Sequence, residues 1–409
     1  MSHSIGGEAS RTFDGRWLLL GILAVYFAIV ATGAARGTYD RYWARLGVPP
    51  MSKSGQTVAF GDTVFLLGVL ECDRAGRDVY RENPCDPWAR RMNYPRPWLL
   101  LSGLPLERRH SAWLGAVLGV AFLASAFAYV GRLKPWHGLM YGLLICSPSV
   151  MLGIERGNSD LMMFILVAVA VMLLSHRRAA GWSYLLIFLG GLLKLFPITA
   201  LAAALRESLP RAALILSGLG AGWVAYVVWT WTDVTLIAQA TPRSVYRSYG
   251  GLVLLDIVVG QLRKRGVDPP LVTVQLAYVV SVGALMLATG AAAWATTRHV
   301  ISNRLDGFRA GAAIYVATYL PVTNYDYKQV FLLLAVPQML EWSGGPGSVG
   351  RFSTVALASM ALTLWMSSWR RVFLGGEVMN LLLFAYCLYM LVYTRPSWLG
   401  GHERSLDGD

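Results

Sequence analysis

The sequence predicts an all-α membrane protein that crosses the bilayer about ten to twelve times and carries a long polar loop after its first crossing. Three observations carry this. Of 409 residues, 55% are hydrophobic and 14% charged, where a soluble chain holds about a quarter charged residues. Apolar runs of spanning or near-spanning length recur along the whole chain. Between them lie short basic segments, at Arg132 and Lys134, Arg177 and Arg178, Arg206 and Arg211, and Arg298, Arg304 and Arg309, the pattern expected of cytoplasmic loops. The formal charge of +13 is thus spread over loops rather than gathered on one face, so membrane lipids are expected as partners and nucleic acid is not.

The first run, Trp17 to Ala35, has an apolar core longer than the roughly 7 to 15 residues of a signal peptide. It is read as span one, with Arg11 and Arg16 on the inner side. The chain reads as one integral domain, 1–409, in which residues 37–110 form an outer loop subdomain. That loop holds the longest polar interval between apolar runs, Phe60 to Trp98, mixing acids, arginines, aromatics, prolines and two cysteines. Asp62 stands out because it follows a glycine and opens an apolar helical run through Val64, Phe65, Leu67 and Leu70. Its other reading is a helix N-cap with no further role. Cys72 and Cys85 share the loop, and their spacing leaves open whether they are bonded; Cys146 and Cys387 fall in apolar runs and read as packing residues.

Spans at Ser111–Val130 and Trp136–Gly153 form a hairpin that returns the chain outward to a turn bearing Glu155, Arg156, Asn158 and Asp160. The span Leu161–Leu174 goes back in. The segment Trp182 to Leu205 is then decisive: arginines bound it, and Gly190, Gly191 and Pro197 interrupt it. A broken, re-entrant pair of short helices keeps both arginine clusters inside and carries Lys194 towards the outer face, whereas a single crossing would invert everything downstream. A lysine at membrane depth costs on the order of 2.5 to 3.5 kcal/mol, so Lys194 needs a partner or a watery cavity. The remaining runs, Ala212–Trp231, Leu271–Ala295, Gly311–Val322, Val330–Leu340, Phe352–Met366 and Val378–Tyr393, place two more polar intervals outside. One holds Arg243 and Arg247, the other Asn324, Tyr325, Asp326, Tyr327 and Lys328.

An acid surrounded by cations at a lipid–water boundary suits a lipid-phosphate substrate. A carboxylate takes the proton of an attacking hydroxyl, and Lys or Arg neutralises a departing phosphate. This is the chemistry of sugar transfer from a polyprenyl-phosphate carrier to a lipid or glycan acceptor. There is no phosphate-binding glycine-lysine loop for a nucleotide sugar, and the Asp407–Asp409 triplet closes a polar tail. No cofactor is implied, and metal-ligand spacings such as CxxC or HxxxH are missing, so a divalent metal has no support in the sequence. Two other classes use similar parts. A polysaccharide polymerase or ligase would rest on Arg243 and Arg247; a lipid-linked-sugar transporter would use the same basic cavity, but such folds often carry repeated halves, and no repeat is visible.

Asp62, then Asp78 and Tyr80, then Asn93, Tyr94 and Pro95, then Lys194-Leu-Phe-Pro197, then Asn324-Tyr-Asp-Tyr327 together resemble glycosyltransferase family 87. The resemblance implies a GT-C-type bundle, a polyprenyl-phosphate-sugar donor, transfer of mannose or a similar hexose, and a bacterial plasma membrane; direct displacement with one carboxylate base implies inversion, and the basic loops turn the site outward. It maps the catalytic acid of the first outer loop onto Asp62. It supports Lys194 as a donor-phosphate residue beside Arg243, Arg247 and Lys328. Asp78, Tyr80, Asn93, Tyr94, Arg96, Glu155, Arg156, Asn158, Asp160, Asn324, Tyr325, Asp326 and Tyr327 are the expected substrate-binding positions. Where mannosyltransferase relatives tend to carry a histidine-containing outer motif, this chain has Asn324-Tyr-Asp-Tyr-Lys328, which leaves sugar and acceptor open.

Overall fold

In a bilayer core each apolar run must satisfy its own backbone hydrogen bonds, so it folds as a helix, and helices dominate the computed structural model. It describes residues 13–242, 244, 246–296, 302, 304–320, 323–366 and 373–400. In order these are α1 (Arg16–Ala35), α2 (Tyr39–Arg45), a hairpin of β1 (Met51–Lys53) and β2 (Gln56–Val58), α3 (Gly61–Arg74), 3-10 turns at Arg96–Gly103 and Arg108–His110, and α4 (Ser111–Val130). Next come α5 (Pro135–Ile145), α6 (Pro148–Arg156), α7 (Ser159–Leu174), α8 (Ala180–Lys194), a 3-10 helix at Phe196–Arg206, α9 (Leu209–Trp229), α10 (Trp231–Ala240), β3 (Ser248–Tyr249), α11 (Gly251–Lys264) and α12 (Leu271–Thr296). The chain continues through α13 (Leu305–Tyr319), β4 (Asn324–Tyr325), a 3-10 helix at Asp326–Leu334, α14 (Val336–Ser343), α15 (Gly347–Met366) and α16 (Phe373–Tyr393).

Among the described residues, six helices are long and apolar enough to cross a membrane: α1, α4, α9, α12, α15 and α16. The pair α5 and α6 makes a seventh unit, bent by 54°. Proline causes the bend: Pro148 has no N–H to continue the ladder and disfavours helix in the residue before it, so the expected run Trp136–Gly153 is broken there. The expected run Val330–Leu340 likewise divides between the Asp326–Leu334 3-10 helix and α14. The expected crossings thus resolve into long helices, one bent pair and shorter apolar helices such as α7 and α8. At the centre lies α7, whose Phe164 meets Phe122 and Phe331 at ring distances of 5.0 and 6.4 Å. By contrast α9 and α12 expose most of their apolar side chains, as lipid-facing helices do.

The segment after α7 folds back on itself. The Tyr184 hydroxyl near the start of α8 donates to Glu207 Oε1 (2.9 Å), just past the end of the Phe196–Arg206 helix. The two legs pack through glycine: a Cβ on Gly190 would lie 3.2 Å from Pro197, and one on Gly191 3.0 Å from Ile198. The reversal occurs at Leu195, held at φ 61° and ψ −57°, a backbone state that costs a non-glycine residue about 1–3 kcal/mol. Lys194 sits at the tip of this hairpin.

Two ends of the bundle are therefore distinct. At one, Gly15 N–H donates to Leu133 O (2.8 Å), Arg304 donates to Arg132 O (3.0 Å) and pairs with Glu341 (3.0 Å), and Arg206 pairs with Asp306. These are the basic turns read as cytoplasmic; Arg298, read with them, lies outside the described residues. At the other end gather the 37–110 loop, the α6–α7 turn, the Lys194 tip and the β3–β4 pairing.

Candidate functional site

The start of α3 is fixed from outside the helix. Phe60 adopts a left-handed backbone (φ 54°), and its N–H donates to Glu155 O (2.9 Å). The N-cap position is thus Phe60, without a side-chain cap bond, and Asp62 lies inside the first turn. This corrects the reading of Asp62 as an N-cap: its carboxylate turns instead to partners distant in sequence. Oδ1 accepts from Arg90 Nη1 (3.1 Å) and Oδ2 from Asn158 Nδ2 (2.7 Å). Next door, Thr63 Oγ1 donates to Gly157 O (2.9 Å). Gly157 is left-handed (φ 58°), and a Cβ there would strike Thr63 Oγ1, so this turn requires glycine.

Arg90 was not among the expected site residues. It belongs to a small knot that follows directly on the loop closed by the disulfide between Cys72 and Cys85, whose Cα atoms are 5.8 Å apart. Asp86 organises the knot: its carboxylate accepts from the backbone N–H groups of Trp88 (3.1 Å) and Arg90 (3.0 Å), and also from Nε and Nη2 of the Arg90 side chain (both 3.0 Å). Nη2 of Arg90 donates further to Gly61 O (2.7 Å), and the guanidinium lies over the Phe65 and Trp88 rings at 4.8 and 4.7 Å. Burial alone would lower the Arg90 pKa, but the Asp86 hydrogen bonds and the charges of Asp62 and Asp86 outweigh it and hold it above the usual value.

Lys194 does not reach for solvent. Its Nζ pairs with Asp160 Oδ1 at 2.6 Å and lies 4.7 Å from the Tyr94 ring, with side chains 9% and 1% exposed for Lys194 and Asp160. Two further cations approach from other elements. Arg156 Nε faces the buried Glu155 carboxylate at 3.3 Å, and its Nη2 donates to Pro49 O (3.4 Å). Arg247, left-handed at φ 56°, donates to Gly47 O (3.3 Å) while its own carbonyl accepts from Asp326 N–H (3.0 Å). Both guanidinium groups therefore meet the Gly47–Pro49 segment. The β3–β4 pairing, Ser248 with Tyr325 and Tyr249 with Asn324, brings the Asn324 interval beside Arg247. Lys328 Nζ donates to Asn324 Oδ1 (2.6 Å), and Tyr325 and Tyr327 stack at 5.5 Å.

These pieces border one cavity of about 890 Å³. Of the expected residues, Asp62, Asn93, Tyr94, Arg156, Lys194, Arg247, Asn324, Tyr325, Tyr327 and Lys328 line it. Val234, Ile237, Leu252 and Leu255 from α10 and α11 add apolar lining, beside the acid Asp256 of α11. Other expected residues stand elsewhere. Asn158 and Asp160 act behind the lining, holding Asp62 and Lys194. Tyr80 is buried and donates to Tyr94 O (3.0 Å), and Asp78 pairs with Arg81 (3.2 Å) in exposed surroundings. Arg96 makes a two-pronged contact with Asp233 (2.7 and 2.8 Å), so its charge is already matched. Glu155 and Asp326 are buried outside the lining. Arg243 lies outside the described residues. A second, smaller cavity of about 290 Å³, near Tyr129, His176 and Arg304, is at the far end of the bundle.

No protein-family model matches the sequence, and no curated protein matches it either. Among solved structures, ArnT from Cupriavidus metallidurans in the apo state aligns over 92% of this chain and 76% of its own, at 10% sequence identity and a TM-score of 0.37.

Proposed function

We propose that this protein is a GT-C-type membrane glycosyltransferase that moves a hexose, mannose or a similar sugar, from a polyprenyl-phosphate donor to a lipid or glycan acceptor at the outer membrane face, as the likeness to family 87 implies. The observation that carries the reading is one cavity that combines a carboxylate, several cations and apolar lining. Asp62 faces the same space as Arg156, Arg247 and Lys328, and aliphatic side chains of α10 and α11 complete it.

In this reading the acceptor hydroxyl attacks the anomeric carbon from the face opposite the phosphate. The new C–O bond forms as the bond to the phosphate oxygen breaks, the electron pair leaves with the phosphate, and the hydroxyl proton passes to Asp62. One displacement inverts the anomeric centre. Because Asp160 already matches the charge of Lys194 and Glu155 faces Arg156, the leaving phosphate falls first to Arg247 and Lys328, whose N–H groups supply charge-assisted hydrogen bonds. The apolar lining suits the prenyl chain, and the Tyr325–Tyr327 stack offers a flat surface to a sugar ring.

The test is Asp62→Asn assayed for transfer and, separately, for retention of polyprenyl phosphate. Turnover should fall by roughly 10²-fold or more, while lipid binding persists. Parental turnover in this variant, or a product that keeps the donor's anomeric configuration, would remove Asp62 from the mechanism. Unchanged turnover in Asp62→Asn together with loss in Arg247→Gln would favour polymerase or ligase chemistry instead.

A further inference from the structure

We infer that Arg90 is the positioning residue of the site: held by the Asp86 turn beside the disulfide-closed loop, and bordering the cavity with Asp62, it acts by fixing the direction of the Asp62 carboxylate. The inference rests on the proposed role of Asp62 and adds to it a residue that neither the polar pattern nor the family likeness marks.

The geometry has three parts. First, Arg90 has little freedom. Its N–H groups are directed at Asp62, Asp86 and Gly61 O, and its guanidinium lies within 5 Å of the Phe65 and Trp88 rings, at 4.8 and 4.7 Å from their centres. An arginine fork fixed in this way transmits a direction, which a lysine, as a point charge on a flexible stem, does less well. Second, the support is itself rigid. Asp86 has a fully buried side chain and closes its own turn through the Trp88 and Arg90 N–H groups, Asn83 Nδ2 donates to Arg90 O (2.9 Å), and Trp88 Nε1 donates to Ser52 O (3.2 Å). The disulfide joins Cys85, next to Asp86, to Cys72 on α3, the helix that carries Asp62. The base and its clamp are thereby covalently tied through the disulfide. Third, the other oxygen of Asp62 is fixed from an independent element by Asn158. Held at both oxygens, the carboxylate is left one orientation towards the cavity. Proton abstraction needs the carboxylate within hydrogen-bond reach of the acceptor hydroxyl, and a misplacement of about 1 Å at a reacting group costs up to about 10² in rate.

A double-mutant cycle tests this. Arg90→Gln should lower kcat by about 10-fold to 10²-fold with the donor KM nearly unchanged, and Arg90→Lys should recover part of the loss. In an Asp62→Asn background, Arg90→Gln should cost nothing further, because the group it aims is gone. An equal loss in both backgrounds, or a loss confined to donor KM, overturns the positioning role while leaving Asp62 in place. Parental turnover of Asp62→Asn alone overturns both. If Arg90→Gln does not fold, Asp86→Asn runs the same cycle, since it loosens the clamp but leaves a cation beside Asp62; loss of kcat only where Asp62 is present upholds the role, and equal loss in both backgrounds ends it.

Discussion

Asn158 shows how tightly single residues are constrained here. Its Oδ1 accepts from Asp160 N–H (2.8 Å) and caps α7, so its Nδ2 is the atom that must face Asp62. Asp62 therefore meets two donors, Asn158 Nδ2 and Arg90 Nη1, and an asparagine at position 62 can accept from only one of them. Asp62→Asn should then lose about 1–3 kcal/mol of stability along with its basicity. The exchange Asp62→Asn with Asn158→Asp restores the pattern, since an aspartate caps α7 equally well and accepts from the new amide. We expect the exchanged protein to recover its thermal stability in detergent but not its turnover; recovery of both would mean that the carboxylate serves structure alone. Lys194 and Asp160 pose the converse case. Lys194→Met leaves a buried carboxylate unpaired, which costs about 3–5 kcal/mol, and Lys194→Met with Asp160→Asn should regain most of it in a thermal melt. A single variant that melts like the parent yet fails to transfer sugar would return Lys194 to the donor phosphate.

At the scale of elements, the α8 hairpin decides which interval lies on which side. Its legs meet through Gly190 and Gly191, and its feet meet at Tyr184 and Glu207. Exposed Ser175 and Ser208 flank those feet, while exposed Arg91 and Thr241 lie at the cavity end. Single cysteines at Ser175 and Ser208 should react with an impermeant thiol reagent from one side of a sealed vesicle, and cysteines at Arg91 and Thr241 from the other. Labelling of Ser175 and Ser208 from opposite sides would mean that the segment crosses the bilayer. Much of this level was readable in advance because run length and proline chemistry are local. The run Ser111–Val130 is α4 with the same limits, and paired glycines before Pro197 marked the fold-back. The break at Pro148 was equally visible, yet the apolar run on both sides concealed it. The site was less legible, because its contacts are not periodic. Asp62 announced itself by opening an apolar helix, but Arg90 meets it across 28 residues and Asp160 meets Lys194 across 34, and no spacing rule encodes either pair.

For the whole molecule, the two ends of the bundle differ in what they can do. One end joins basic turns to one another through Arg132, Arg206 and Arg304 and holds the smaller of the two cavities described. The other holds every expected residue that lines the large cavity, together with the disulfide, which belongs to an oxidising compartment. Short basic loops stay on the cytoplasmic side, so the cavity should open to the outside, and the reaction should have a side. Polyprenyl-phosphate sugars with shortened, water-soluble chains allow this to be measured, because the charged phosphate keeps them on the face where they are added. In sealed vesicles oriented as in the cell, externally added donor and acceptor should be consumed; in inverted vesicles the same mixture should react only after the membrane is permeabilised. Equal rates in both orientations without permeabilisation would mean that the cavity is reached from either face, and the assignment of its opening would have to be withdrawn.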